Sequence, residues 1–199
     1  MQRSVDLAPL TIFQTPFPHF HAPCVMSEVL EDKVLHWFEA DAPWRLTVTE
    51  FYEQYEFSLL EASLPTEVAT LCDSDTLNVL RCSIESSFKV VLSDAVEVTA
   101  HKLTAGHRIG IHNDYIPGKE THRLLIQLNR DWVEDWGGML LLFHNSQPES
   151  VSRVVMPVSS SALGFAISSG SYHAVSKVHK GCRFTLVYSF SADESATGT

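Results

Sequence analysis

Hydrophobic positions change their period about halfway along this chain. In the first half, Leu30, Val34, Trp37 and Phe38 recur at i, i+4, i+7 and i+8, one apolar face of a helix. Ser27 stands where a side-chain cap belongs, and Glu28 and Glu31 fall in the first turn, where the helix dipole favours acids. The pattern predicts a helix over 27–39, ended by Asp41-Ala42-Pro43. Pro65 opens a short helix to about residue 71. Ser74 caps another, with Leu77, Leu80, Ile84 and Phe88 on its stripe. Residues 44–49 alternate and read as a strand. Residues 1–23 carry Pro9, Pro16, Pro18 and Pro23 among Ile12, Phe13, Phe17 and Phe20. Proline removes ladder donors, so this is expected to be an extended arm with one edge strand.

From Ala95 onward the pattern changes to strands: 96–103 alternates, and 108–112, 122–128, 139–143, 151–158, 162–167, 172–175 and 183–190 follow as short segments separated by turn residues. Eight such strands fit a double-sheet jelly roll. The expected fold is therefore mainly β with flanking helices: a double-stranded β-helix core with the N-terminal helices packed on one sheet. With no repeat or linker, 199 residues read as one domain. Its parts would be an arm and supporting helices over 1–94, the jelly-roll core over 95–190 and a flexible tail over 191–199.

Three places carry chemistry. In His112-Asn113-Asp114 an imidazole and a carboxylate lie two residues apart, and side chains at that spacing share one side of an extended strand. With one distant imidazole they would make a two-His-one-carboxylate facial triad, which leaves half of an iron(II) octahedron open. His173, opening Tyr172-His173-Ala174-Val175, is the best third ligand. His179, in Lys177-Val178-His179-Lys180-Gly181, competes but reads as part of a turn. Ten residues past His173 stands Arg183, whose guanidinium is a natural fork for a carboxylate.

Three blocks resemble the iron(II)- and 2-oxoglutarate-dependent dioxygenases of the prolyl-hydroxylase-like group. The first is Gly106-His107-Arg108-Ile109-Gly110-Ile111-His112-Asn113-Asp114. The second runs from Leu124 through Gln127-Leu128-Asn129-Arg130-Asp131-Trp132 to Gly137-Gly138 and the strand Met139 to Phe143. The third spans 173–190. The resemblance implies the jelly-roll fold, and iron(II) on His112, Asp114 and His173. It implies 2-oxoglutarate as co-substrate and O2 as oxidant, with Arg183 on the distal carboxylate of 2-oxoglutarate and Thr185 adding a hydroxyl. Gln127 stands where some relatives have a tyrosine that helps hold that carboxylate; an amide can also donate. Leu103 replaces a frequent aromatic. Related halogenases lack the carboxylate that Asp114 supplies, so hydroxylation is the expected outcome. The expected substrate is an amino-acid side chain, free or in a peptide or protein. A desaturase or cyclase would use the same residues, and a non-catalytic jelly-roll metal-binding sensor protein is the competing class.

Arg123, His122 and Arg108 flank the pocket strands and are candidates for substrate contact. His101 and His144 read as surface or packing residues. Trp132 and Trp136 read as a cover over a barrel end, with Gly137-Gly138 allowing a tight bend. The aromatic-acidic run Phe51, Tyr52, Tyr55 and Phe57 with Glu50, Glu53 and Glu56 reads either as amphipathic packing or as a substrate-facing loop. His19 and His21 make a His-x-His pair beside prolines, read as packed or exposed.

Composition narrows the partners. Hydrophobic residues make up 45% and mean hydropathy is +0.02, ordinary for a globular chain. A net charge of −10 gives no basic stripe for a phosphate backbone, which argues against nucleic acid and leaves a cationic peptide or amino acid open. No apolar run reaches the roughly 18–20 residues of a membrane span, and no secretory signal is visible. Cys24, Cys72, Cys82 and Cys182 are scattered, as free thiols of a reducing compartment are, so a cytoplasmic location is expected. Oligomeric state is not legible in the chain.

Overall fold

The computed structural model describes residues 4–193. In chain order its elements are β1 (Thr11–Phe13), β2 (His19–Ala22), α1 (Glu28–Ala40), β3 (Arg45–Val48), β4 (Glu53–Ser58), α2 (Thr66–Ala69), α3 (Ser74–Phe88), β5 (Leu92–Thr104), β6 (Ile109–His112), β7 (His122–Gln127), β8 (Leu140–Phe143), β9 (Val151–Val155), β10 (Ala162–Ala166), β11 (His173–Val175) and β12 (Cys182–Ala192). The large sheet has the order β1-β2-β10-β7-β12-β5-β4-β3, and the small one β6-β11-β8-β9; the pairing of these strands is antiparallel throughout. This is the two-sheet architecture that the eight short strand segments predict.

Strand β12 shows how the layers are built. Phe184, Leu186, Tyr188 and Phe190 point to one face and join a cluster with Val34, Phe38, Leu80 and Ile84 of α1 and α3. Val187 points the other way, into a second cluster with Leu103, Leu125, Leu140 and Val175 between the sheets. Both faces are covered, so the strand reads as a nearly continuous apolar run. Burying each large side chain is worth about 1.5–3 kcal/mol, and the two clusters hold the helices and the small sheet on opposite faces of the large one.

Five details differ from the sequence expectations. The arm contributes two strands, β1 and β2, which extend the large sheet on one edge. The aromatic-acidic run contains a strand, β4, beside β5 near the other edge. Its Phe57 is buried among Trp37, Phe38 and Trp44, while Gln54 and Glu56 face the space between the sheets. Helix α3 is capped by Asp73 rather than Ser74: Asp73 Oδ1 accepts from Thr76 N at 2.7 Å, and Ser74 becomes the first helical residue. Strand β9 stops at Val155, two residues before Pro157, which has no N–H for a ladder. Ala192, expected in the tail, closes β12 opposite Leu92; the tail residues 194–199 lie outside the described residues. Ser27 caps α1 as read, its Oγ accepting from Leu30 N at 3.3 Å. Among the described residues no helix is long and apolar enough to cross a membrane.

On β7, His122 faces the helix layer. Its ring lies 5.1 Å from that of Phe88 and its Nδ1 is 2.9 Å from Thr121 Oγ1. Burial pushes its pKa down from 6.5 to about 4. Between those values the unfolded chain binds a proton that the folded chain does not, so stability falls as pH drops through that window. The expected slope from this ring approaches about 1.4 kcal/mol per pH unit. Urea unfolding between pH 7 and 4.5 should show the loss, and His122→Gln should flatten it; an unchanged slope would mean that the ring is charged in the fold.

Candidate active site

The space between the sheets opens into a cavity of about 400 Å³ lined by residues of both. Its polar groups come from predictable parities. On β12 the residues opposite in parity to the apolar core, Arg183, Thr185, Val187 and Ser189, face it. On β5 these are Glu97, Thr99, His101 and Leu103; on β7, Arg123 and Leu125. Across the cavity the small sheet presents His112, Leu140, His173 and Val175.

His112 and His173 are direct Cα partners across the β6–β11 pair, and their ring centroids are 4.2 Å apart. Asp114 joins them by a route that strand alternation does not describe. Strand β6 ends at His112, and Asp114 lies beyond it at φ 57, in the left-handed region that aspartate tolerates better than most residues. Asn113 shapes the turn. Its Oδ1 accepts from Tyr115 N at 3.1 Å, its Nδ2 donates to Ser169 O at 3.1 Å, and its carbonyl accepts from Ser171 Oγ at 2.9 Å. The side chains of His112 and Asp114 therefore meet through a turn, not along a shared strand face.

One donor atom from each of His112, Asp114 and His173 lies within 4.8 Å of the others. His112 Nδ1 sits 2.9 Å from Gly110 O and His173 Nδ1 2.8 Å from Ser171 O. Each Nδ1 therefore carries the proton, and each Nε2 turns a lone pair inward. The Nε2 atoms are 3.3 Å and 3.1 Å from Asp114 oxygens. Burial holds His173 below the ordinary histidine value, against the opposing pull of Asp114, so it is neutral at pH 7. At these separations a proton or a cation between each Nε2 and the carboxylate makes the contact attractive. Burial would raise the Asp114 carboxyl, but its contacts with the two imidazoles and with Arg123 hold it far below the usual carboxylate range. Two imidazole nitrogens and one ionised carboxylate are a donor set that fits a divalent first-row metal, with room left in the coordination sphere. Among the described residues this is the one such cluster, and His179 is outside it.

Deeper in the cavity, Arg183 is buried. Its Nε donates to Gly138 O at 2.8 Å and its Nη1 to Thr185 Oγ1 at 2.7 Å. Burial lowers its pKa to about 10, which leaves it charged at pH 7. No carboxylate among the described residues pairs with it. A buried, uncompensated guanidinium is costly unless an anion joins it, so this position is built for an anionic ligand. The double glycine sets the arginine in place. Gly137 and Gly138 adopt φ of 68° and 67°, and a Cβ on Gly137 would stand 2.0 Å from Lys177 O. The bend they make delivers the Gly138 carbonyl to Arg183, and Trp132 covers it, with its Nε1 donating to Gly137 O at 2.9 Å.

The other candidates separate. Thr185 lines the cavity; Gln127 stands behind it, its Oε1 accepting from Thr185 Oγ1 at 3.1 Å, and does not itself line the wall. Arg123 reaches the cavity but is already engaged, donating to Asp114 Oδ2 at 2.5 Å and to Glu120. His122 does not reach it, because its parity on β7 is opposite to that of Arg123. Arg108 is exposed and lines a separate groove with Ile111, Leu141 and Val154. The expectation of substrate contact for His122 is corrected by strand parity, and that for Arg108 by its exposed place just before β6. Two wall residues were missed, His101 and Gln54, while Glu56 belongs to the run read as packing or as substrate-facing. For His101 the signal was present, since it shares the parity of Leu103 on one strand. His144 is exposed, as read.

Residues 98–190 match the family model described as the 2OG-Fe(II) oxygenase superfamily. No curated protein matches the chain. Among solved structures, the chain is similar to a Pseudomonas putida prolyl-4-hydroxylase (16% identity, 88% of this chain and 92% of that one, TM-score 0.72). A prolyl hydroxylase of Trichoplax adhaerens, solved with a hypoxia-inducible-factor oxygen-degradation-domain peptide, is similar at 14% identity over 91% and 87% with a TM-score of 0.72. A viral collagen prolyl hydroxylase of Paramecium Bursaria Chlorella virus-1, in its 2OG complex, is similar at 13% identity over 86% and 94% with a TM-score of 0.62. At these identities the structures show a shared fold. The matched family implies iron(II), 2-oxoglutarate and O2.

Metal binding tests the donor set directly. Purified apoprotein should take up one equivalent of iron(II) or manganese(II), and His173→Ala or Asp114→Ala should weaken binding by more than roughly 100-fold, beyond the usual effect of outer-shell partners. Because burial lowers the His173 pKa, protons should compete at its Nε2 only below the ordinary histidine range, and affinity should fall as pH drops through it. Stoichiometric binding that survives both substitutions would place the metal elsewhere.

Proposed function

We propose that this chain is an iron(II)- and 2-oxoglutarate-dependent oxygenase that hydroxylates an unactivated C–H bond of an amino-acid side chain, free or within a peptide or protein. The observation that carries the reading is the pairing of one metal-type donor set with one buried unpaired guanidinium in a single cavity. The peptide in the Trichoplax neighbour supports an amino-acid or peptide substrate. The four free cysteines support a reducing, cytoplasmic setting.

In this reading His112, Asp114 and His173 hold iron(II), with the two Nδ1–H groups anchored on backbone carbonyls so that neither ring turns away. Arg183 receives the distal carboxylate of 2-oxoglutarate, with the Thr185 hydroxyl beside it. When bound, the iron and co-substrate supply oxidative decarboxylation: one oxygen atom of O2 enters succinate as CO2 leaves, and the other enters the substrate C–H bond. Leu103, Leu125, Leu140, Val175 and Val187 give the cavity apolar walls that keep water from the reacting groups. Arg123 holds Asp114 ionised and in orientation by taking one of its oxygens. It acts through the ligand and is not free for a substrate carboxylate.

The test is succinate formation from 2-oxoglutarate, dependent on iron(II) and O2, with and without candidate substrates. His112→Ala should abolish it. Arg183→Ala should raise the KM for 2-oxoglutarate by roughly 30-fold or more, as for truncating one side of a buried charge pair. Tight iron binding with no affinity for 2-oxoglutarate would contradict the reading.

A further inference from the structure

One wall of the cavity is not used by the metal or the co-substrate. It is formed by β4 and the adjoining part of β5, where Gln54, Glu56, Thr99 and His101 face inward. Gln54 is 3% exposed. Its Nε2 donates to Glu56 Oε2 at 2.6 Å, which fixes the amide, since the flipped amide would set two acceptor oxygens together. Its Oε1 is then a buried acceptor with no partner in the protein. Buried acceptors are almost always paired, so an orphan on a cavity wall marks a place for a donor.

Glu56 stands beside it. Thr47 Oγ1 donates to its Oε1 at 2.9 Å, and Gln54 holds its Oε2. No lysine or arginine among the described residues pairs with it. The imidazole nearest to it, His101 Nε2 at 4.0 Å, is pushed down to about 3 by burial first and then by Arg123 and Arg183, so it brings no charge at pH 7. The cavity's two arginines are committed, Arg123 to Asp114 and Glu120 and Arg183 to the co-substrate position. A positioned carboxylate without a counter-ion, next to an orphan acceptor, has the chemistry of a cation receptor whose ligand also donates hydrogen bonds.

We propose that Gln54 and Glu56 form the substrate subsite for a protonated nitrogen, an ammonium or guanidinium group, so that the substrate is a cationic amino acid or residue. This rests on the oxygenase reading for what happens next, but not for binding itself. The nitrogen donates to Gln54 Oε1 and to the free lone pairs of Glu56, while the rest of the substrate extends toward His112 and Asp114 in the same cavity. The two sources of such a group are the α-ammonium of a free amino acid and the side chain of a lysine or arginine.

The experiment is anaerobic calorimetry on protein loaded with iron(II) and 2-oxoglutarate, repeated on metal-free protein. The probes are free L-proline, L-lysine and L-arginine, the Nα-acetyl amides of all three, and the acetyl amide of norleucine as the neutral control. At least one cationic probe should bind, with the neutral control at least tenfold weaker. Glu56→Gln and Gln54→Leu should each weaken the cationic probe by about tenfold or more, while Glu56→Asp keeps the preference for charge. Retained binding of acetylated lysine or arginine assigns the subsite to a side chain; binding only with a free α-amine assigns it to a free amino acid. Equal binding of charged and neutral probes, indifference to both substitutions, or no binding by any probe overturns the proposal. Cation binding that depends on Glu56 in a protein that makes no succinate would instead overturn the oxygenase reading and leave the subsite standing.

Discussion

Antiparallel pairing of β6 with β11 is the constraint from which the site follows. It sets His173 opposite His112, and each Nδ1 is taken by a carbonyl two residues earlier, Ser171 and Gly110. The ring orientations are thus built into the backbone rather than left to side-chain rotamers. A slip of one residue in this register would turn one imidazole to the opposite face of the small sheet. Asp114 completes the set only because the chain leaves the strand immediately after His112 and turns through a left-handed residue that Asn113 and Ser171 brace.

The large sheet supplies the complementary half. Its central strand, β12, sends aromatic and aliphatic side chains into the helix layer and Arg183 with Thr185 into the cavity. Burying that guanidinium draws on the hydrophobic stabilisation of the surrounding layers, and the Gly138 carbonyl compensates part of its lost hydration. The same packing that holds the sheets together buries Arg183, where its charge acts on a ligand more strongly than it would in water. Stability and chemistry here share one strand, divided by parity.

Much of this was legible in the sequence because period and spacing report local geometry well. The eight short strand segments, the apolar stripes of α1 and α3, and the His-Asp-His-Arg set were all visible. What escaped depends on facts that period two does not contain. Alternation says that His122 and Arg123 face opposite ways, not which of them faces the cavity. His101 was legible by the parity it shares with Leu103, but read as surface or packing. Asp73 displaced Ser74 as a cap because both are good caps and the helix begins one residue earlier than read. The run around Gln54 and Glu56 read as packing or as substrate-facing, and the strand makes it both: Phe57 enters the core while its neighbours line the wall.

The central claim is that one cavity holds a metal on three side chains and a carboxylate on a fourth. An anaerobic crystal structure with iron(II) and 2-oxoglutarate, phased to show the iron by its anomalous signal, tests it most directly. The account predicts a single iron peak within bonding distance of His112 Nε2, His173 Nε2 and an Asp114 oxygen, with the distal carboxylate of 2-oxoglutarate forked by Arg183. Iron away from these three atoms, or the co-substrate's carboxylate seated on any group other than Arg183, would contradict it.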